Sequence, residues 1–259
     1  MIRSIFGPGR TALLPYLTAG LPTPAASPAL FAAMASAGAD AFEIGIPYSD
    51  PLMDGPVIQR ASTAALAAGT NLERAMEIVG AVVSETGKPA LAMTYANVVF
   101  RTGPDDFCRR LAEAGAAGLI VPDMPVEEAG PVKEAATAHG LGMVLFVAPT
   151  SSDERIEAVA DLDPVFIYGV AEMGVTGERA ESSGRAGELA RRVRQHTDIP
   201  LVLGVGISTP AQAAAAGEVA DGVIVGTALV RRVLKAESPA AAAEALAEAV
   251  TALGAALRT

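Results

Sequence analysis

The chain has 259 residues, a formal net charge of -10, a single cysteine and no block of lysine or arginine. That length suits one large α/β domain or two small ones, and the acidic balance without basic clusters argues against a nucleic-acid or anionic-membrane surface. No apolar stretch reaches spanning length without charge or Gly/Pro punctuation, and the opening MIRSIFGPGR lacks a signal-peptide core, so a cytoplasmic protein without an internal disulfide is expected.

Short β-rich runs alternate with helical stretches from end to end. Strands are expected at Thr11–Leu17, Ala41–Ile46, Ala90–Tyr95, Gly118–Val121, Gly142–Val147, Val165–Val170, Leu201–Leu203 and Val223–Val225. Between them helices are expected at Pro28–Ala37 with Ser27 as N-cap, at Val57–Ala68, at Asn71–Glu85 and at Pro104–Ala114. Further helices follow the loop PDMP through Ala138, run from the Ser152-Asp153 cap to Ala160 and from Ala186 to His196, begin after Thr209-Pro210, and fill the C-terminus. Eight strand–helix units are the count of a closed (β/α)8 TIM barrel. An open doubly wound sheet is the alternative, disfavoured because no G-x-G-x-x-G follows the first strand. No linker-like shift in composition divides the chain, so residues 1–259 are expected to form a single barrel domain.

The second strand contains an acid. Side chains alternate along a strand, so Ala41, Glu43 and Gly45 share one face and Phe42, Ile44 and Ile46 the other. The bulky face suits packing on helices. On the small face Glu43 has room and little water, and desolvation raises a carboxyl pKa into the range of a general acid or base near neutral pH. The strand breaks at Pro47 into a polar loop carrying Asp50 and Asp54 and closing with Gly55-Pro56. A solvated strand with ordinary Asp-Pro and Asp-Gly turns is the plainer reading.

The other strand ends favour the catalytic one. Barrel chemistry sits where strands end, and these ends offer Tyr16 and Thr18, Tyr95 and Asn97, Asp123, Pro149-Thr150 and Tyr168. Strands seven and eight run into Gly204-Val205-Gly206-Ile207-Ser208 and Gly226-Thr227-Ala228. Glycine turns there, with a helix opening at Gly226, form the common barrel phosphate site, served by backbone N–H groups and a helix dipole. The loop Ala171–Gly177, with glycines at both Gly174 and Gly177, can act as a lid. The lysines are Lys88, Lys133 and Lys235, none at a catalytic strand end, and the histidines, His139 and His196, show no ligand spacing. Schiff-base chemistry and a histidine-built metal site are therefore not expected. What remains is proton transfer by carboxylates on a phosphate-bearing substrate.

The run FEIGIPYSDPLMDGPVIQ, supported by LPYLTAG, MTYANVVF, LIVPDMPVEE, VAPTSSDERI, GVTG, GVGIS and VGTALV, resembles the tryptophan synthase alpha chain family from Leu13 onward. The resemblance implies a carbon–carbon lyase that splits indole-3-glycerol phosphate into indole and glyceraldehyde 3-phosphate in tryptophan biosynthesis, with no cofactor of its own. It further implies Glu43 as the acid–base carboxylate and Asp54 as the loop acid hydrogen-bonded to the indole N–H. Thr176 would position that acid and Tyr168 tune Glu43. Gly177, Gly206, Gly226 and Thr227 would bind phosphate, and Tyr16, Met93, Tyr95 and Val121 would wall the indole pocket. The implied partner is a beta chain carrying pyridoxal phosphate, in an alpha2beta2 heterotetramer, with Pro47, Asp50 and Asn97 at the contact. The segment before strand one is shorter and more Gly-rich than the family's leading helix, so a different barrel floor is expected. Ala171-Glu172-Met173 departs from the family pattern, and Thr227 stands where a serine is common. Other readings are a different phosphate-binding barrel such as a sugar-phosphate isomerase, a non-enzymatic activator of a beta chain, or a stand-alone lyase.

Overall fold

The computed structural model describes residues 2–170 and 179–258. Eight parallel strands, β1 Ala12–Thr18, β2 Phe42–Gly45, β3 Ala90–Met93, β4 Gly118–Ile120, β5 Gly142–Val147, β6 Ile167–Val170, β7 Leu201–Gly204 and β8 Gly222–Val225, pair in chain order and close between β1 and β8. Around them lie α1 Ser27–Ser36, α2 Pro56–Ala67, α3 Leu72–Thr86, α4 Ala96–Thr102, α5 Pro104–Glu113, α6 Gly130–Ala138, α7 Asp153–Asp161, α8 Arg179–His196, α9 Pro210–Gly217, α10 Thr227–Lys235 and α11 Pro239–Ala256. This is the expected (β/α)8 barrel. Every residue of β1, β2, β7 and β8 is buried, as strands covered on one face by helices and on the other by the bore must be. Helix α11 packs on α1, α9 and α10 and completes the outer ring.

The two faces of β2 divide as alternation requires. Phe42 turns outward and meets Phe31 of α1 edge-on at 5.3 Å between ring centroids. Glu43 sits in register with Tyr16 on β1 and Leu91 on β3. The barrel floor is closed by a short 3-10 turn, Ile2–Ile5, that buries Ile2 and Ile5, with Phe6 edge-on to Phe166 at 5.8 Å.

Several local expectations change. Ser27 is not the N-cap of α1. Ala26 takes that place with no side-chain cap, because the Ser27 hydroxyl accepts the Gly20 N–H at 3.1 Å instead. Helix α4 was not anticipated: its sequence ANVVFRT reads as strand, yet the Asp123 carboxylate accepts the Ala96 N–H at 2.8 Å and satisfies its first turn. Helix α8 begins at Arg179, ahead of the expected Ala186. The Ser152 cap forms as expected, and Asn71 and Thr209 cap their helices in the same way, each accepting a backbone N–H from three residues on. Cys108 is buried and unpaired, a packing residue whose thiol burial pushes up to about 11.

Candidate active site

Glu43 is 4% exposed, and its Oε2 has no hydrogen-bond partner. A carboxyl left so would be costly to ionise. Burial first, and the nearby Asp54 carboxylate second, push its pKa up to about 8. Asp54 is half-buried in the loop between β2 and α2, where its N–H closes a turn on the Pro51 carbonyl at 3.0 Å. Burial raises its pKa also, but a hydrogen bond from Tyr95 pulls it back down. The Tyr95 hydroxyl accepts the Met53 N–H at 3.1 Å, so one phenol ties the loop at the residue before Asp54.

A cavity of about 320 Å³ opens at the C-terminal ends of the strands, and Glu43, Asp54, Tyr16, Met93, Tyr168, Gly206, Gly226 and Thr227 all line it. Tyr16 and Tyr168 are buried, and burial drives both phenols well above their usual pKa. They flank the acid from opposite sides of the bore, and each lies over a glycine on the neighbouring strand. A Cβ at Gly45 would come within 2.2 Å of the Tyr16 hydroxyl, and one at Gly204 within 2.1 Å of that of Tyr168. The phenols can lie flat there only because those two side chains are missing.

The far end of the cavity is built from backbone. Val205 and Gly206 both adopt positive φ, 75° and 79°, and Gly226 starts α10 with no side-chain cap. The Leu229 N–H turns back onto the Gly226 carbonyl at 2.9 Å, so the Thr227 and Ala228 N–H groups at the start of α10 are the ones suited to an anion. Among the described residues, no lysine or arginine lines the cavity. Among the described residues, no group of three or more His, Cys, Asp or Glu side chains could hold a metal.

Two expected wall residues lie elsewhere. Tyr95 turns to the loop, and Val121, 1% exposed, is buried away from the cavity. Strands β3 and β4 end at Met93 and Ile120, so the alternation that would have aimed Tyr95 and Val121 inward stops before it reaches them. Met53, Gly55, Ile58, Val205, Ile207, Ser208 and Ile224 complete the described lining instead. Ile224 was readable from alternation along β8; the others are loop or helix residues with no periodic signal. Thr176 and Gly177, with Ala171, Glu172 and Met173, lie outside the described residues.

Of the three residues expected to meet a partner, Asp50 and Asn97 are exposed. Pro47 is buried, because it carries the chain out of the barrel wall beneath the loop. Beside Asp50 and Asn97 stand Leu52, Met53 and Phe100, which are 80%, 63% and 51% exposed. A larger depression of about 620 Å³ lies at the opposite end of the barrel around Phe6, Arg10 and Asp221, but there Asp221 is held by Arg194 and by the Leu201 N–H. No described helix is long and apolar enough to cross a membrane.

Comparison with known proteins finds one family profile, described as "Tryptophan synthase alpha chain", matching residues 4–258. A curated tryptophan synthase alpha chain from Picosynechococcus is 48% identical over 231 residues, covering 89% of this chain and 88% of that one. The corresponding protein of Streptomyces avermitilis is 46% identical, covering 92% and 86%. Among solved structures, tryptophan synthase from Mycobacterium tuberculosis superposes with a TM-score of 0.87 at 41% identity, covering 97% of this chain and 94% of that one. The alpha subunit from Legionella pneumophila gives a TM-score of 0.85 at 34% identity, covering 95% and 92%.

Proposed function

The chain belongs to the tryptophan synthase alpha chain family, and from that membership we propose that the mouth of its barrel cleaves indole-3-glycerol phosphate to indole and glyceraldehyde 3-phosphate. It is an enzyme subunit of tryptophan biosynthesis, a lyase, built on the TIM barrel. The observation that carries the proposed chemistry is the buried Glu43 carboxyl, held protonated near neutral pH with an unpartnered Oε2, in one cavity with Asp54 and the anion-binding turns.

In this reading Glu43 delivers its proton to C3 of the indole ring. Carbon becomes a leaving group only once the ring has accepted that proton, and the ring nitrogen then carries positive charge. Asp54, ionised, accepts the hydrogen bond of the indole N–H and stabilises that charge. Glu43, now a carboxylate, removes the proton of the adjacent glycerol hydroxyl. The oxygen forms the aldehyde C=O, the carbon–carbon bond breaks, and its electron pair returns to the ring. One proton leaves Glu43 and one comes back, so the step needs no cofactor. Tyr16, Met93 and Tyr168 hold the ring; Gly206, Gly226 and Thr227 hold the phosphate, joined by Gly177, with Thr176 positioning Asp54. In this reading residues 1–259 form a single barrel domain.

Family membership implies a beta chain partner. The proposed assembly is an alpha2beta2 heterotetramer in the cytoplasm, with pyridoxal phosphate on the beta chain. The exposed Asp50, Leu52, Asn97 and Phe100 support a docking face at the mouth of the barrel.

Indole release from indole-3-glycerol phosphate, followed with and without a beta chain, tests the reading. Glu43→Gln is expected to lower the rate by about a hundredfold or more while ligand still binds. Full turnover in that variant would remove Glu43 from the reaction.

A further inference from the structure

Asp54 sits on a loop, and loops place catalytic groups less firmly than strands do. What holds this loop lies behind it. The Tyr95 hydroxyl accepts the Met53 N–H at 3.1 Å and lies close enough to the next residue, Asp54, to lower its pKa. The Tyr95 ring stacks on Tyr48, with centroids 5.2 Å apart and planes at 29°. Tyr48 in turn is fixed at its far end, where its hydroxyl accepts the Asn97 Nδ2–H at 2.9 Å. Asn97 rides on the first turn of α4, which is tied by the Ala96 N–H to the Asp123 carboxylate at 2.8 Å.

The two rings therefore form a clamp across the base of the loop. Tyr48 leaves the barrel wall one residue after Pro47 and folds back on the aromatic residue that holds Asp54. An offset stack adds about 0.5–1.5 kcal/mol beyond area burial, and the amide bond removes the ring's freedom to slide. Nothing in the proposed reaction uses Tyr48, and it does not line the cavity. Its geometry is explained by what it holds.

We propose that Tyr48 is a positioning residue for the loop acid, its ring backing the Tyr95 phenol against Asp54 and its hydroxyl anchored by Asn97. This rests on the reading of Asp54 as the group that meets the indole N–H, but the placement itself is measurable without turnover. The titratable groups facing Asp54 are Glu43 from β2, Tyr16 from β1, Tyr168 from β6 and Tyr95 ahead of α4, with Asp123 facing Tyr95. Of these, Tyr95 alone lowers the Asp54 pKa, so loosening the clamp raises it.

The test is the titration of the Asp54 carboxyl by 13C NMR, its resonance identified by its loss in Asp54→Asn, in the wild-type chain, Tyr95→Phe, Tyr48→Leu and Tyr48→Phe. Tyr95→Phe sets the scale, about one pH unit upward for a lost hydrogen bond to a carboxylate. Tyr48→Leu is expected to move the midpoint in the same direction and to lower kcat for indole release about tenfold with KM unchanged. Tyr48→Phe keeps the stack, loses the anchor and moves both quantities less; it decides the question if the leucine variant does not fold. An Asp54 midpoint that stays at its wild-type value in the folded Tyr48 variants overturns the proposal. A shifted midpoint together with full turnover in Asp54→Asn upholds the positioning role and overturns the proposed catalytic use of Asp54.

Discussion

Glu43 and Asp54 carry the same functional group in different surroundings, and the difference assigns their proposed roles. Glu43 has no hydrogen-bond partner for Oε2 and keeps its proton to about pH 8. Asp54, half-buried and held by Tyr95, is the one that ionises first. Because Asp54 contributes to the raised pKa of Glu43, the two titrations are coupled. The acid form of Glu43 is present below its pKa and lost above it, so cleavage is expected to fall as pH rises through about 8. Asp54→Asn removes one like charge and is expected to lower the Glu43 midpoint, read by carboxyl NMR; an unchanged midpoint would refute the coupling. Glu43 was legible because alternation within a strand is rigid, and Phe42 facing out to Phe31 obliges Glu43 to face in. Tyr95 and Val121 lie beyond the ends of β3 and β4, where that rule no longer fixes a side chain's direction. Val205 carries a signal that sequence hides. A β-branched residue rarely adopts positive φ, yet Val205 holds 75° and leans, 44% exposed, into the cavity mouth.

Elements were readable to the extent that they are buried. Each strand is a short apolar run bounded by turn residues, and those runs survive as strands with ends shifted by a residue or two. Helix α4 escaped notice because its stability comes from Asp123, a residue of the next β–α connection. Such a cap exists only once the barrel has formed. The contacts between neighbouring strands make a sharper demand. Gly45 on β2 leaves the space that Tyr16 on β1 fills, and Gly204 on β7 does the same for Tyr168 on β6. Gly45→Ala is expected to destabilise the chain by about 1–3 kcal/mol through overpacking and to displace Tyr16 from the cavity. Denaturant midpoints and ligand affinity measured together check this, and a variant with normal stability and affinity would mean that the phenol has room to move.

At the scale of the molecule, one end of the barrel is built for stability and the other for chemistry. The floor is plugged by Ile2, Ile5 and Phe6, whereas the mouth leaves Leu52, Met53 and Phe100 in solvent. Exposed apolar residues are characteristic of docking faces, and they support the proposed contact with a beta chain. Leu52→Asp is expected to weaken that association about tenfold or more while leaving cleavage by the free chain intact, which titration with a beta chain would measure; undiminished association would place the contact elsewhere. The fold, the family and the acid pair could be read from the chain alone, but the loop's tethers could not, since Tyr48, Tyr95 and Asn97 meet only through tertiary structure. Among the described residues the cavity is lined by no lysine or arginine. A fixed ammonium in so small a chamber would attract a phosphate more strongly, but it would also favour the carboxylate form of Glu43 and strip the proton that the proposed reaction spends. Amide dipoles hold an anion through short-range contact and leave the acid's ionisation nearly untouched, so substrate affinity and proton donation can be set independently within one bore.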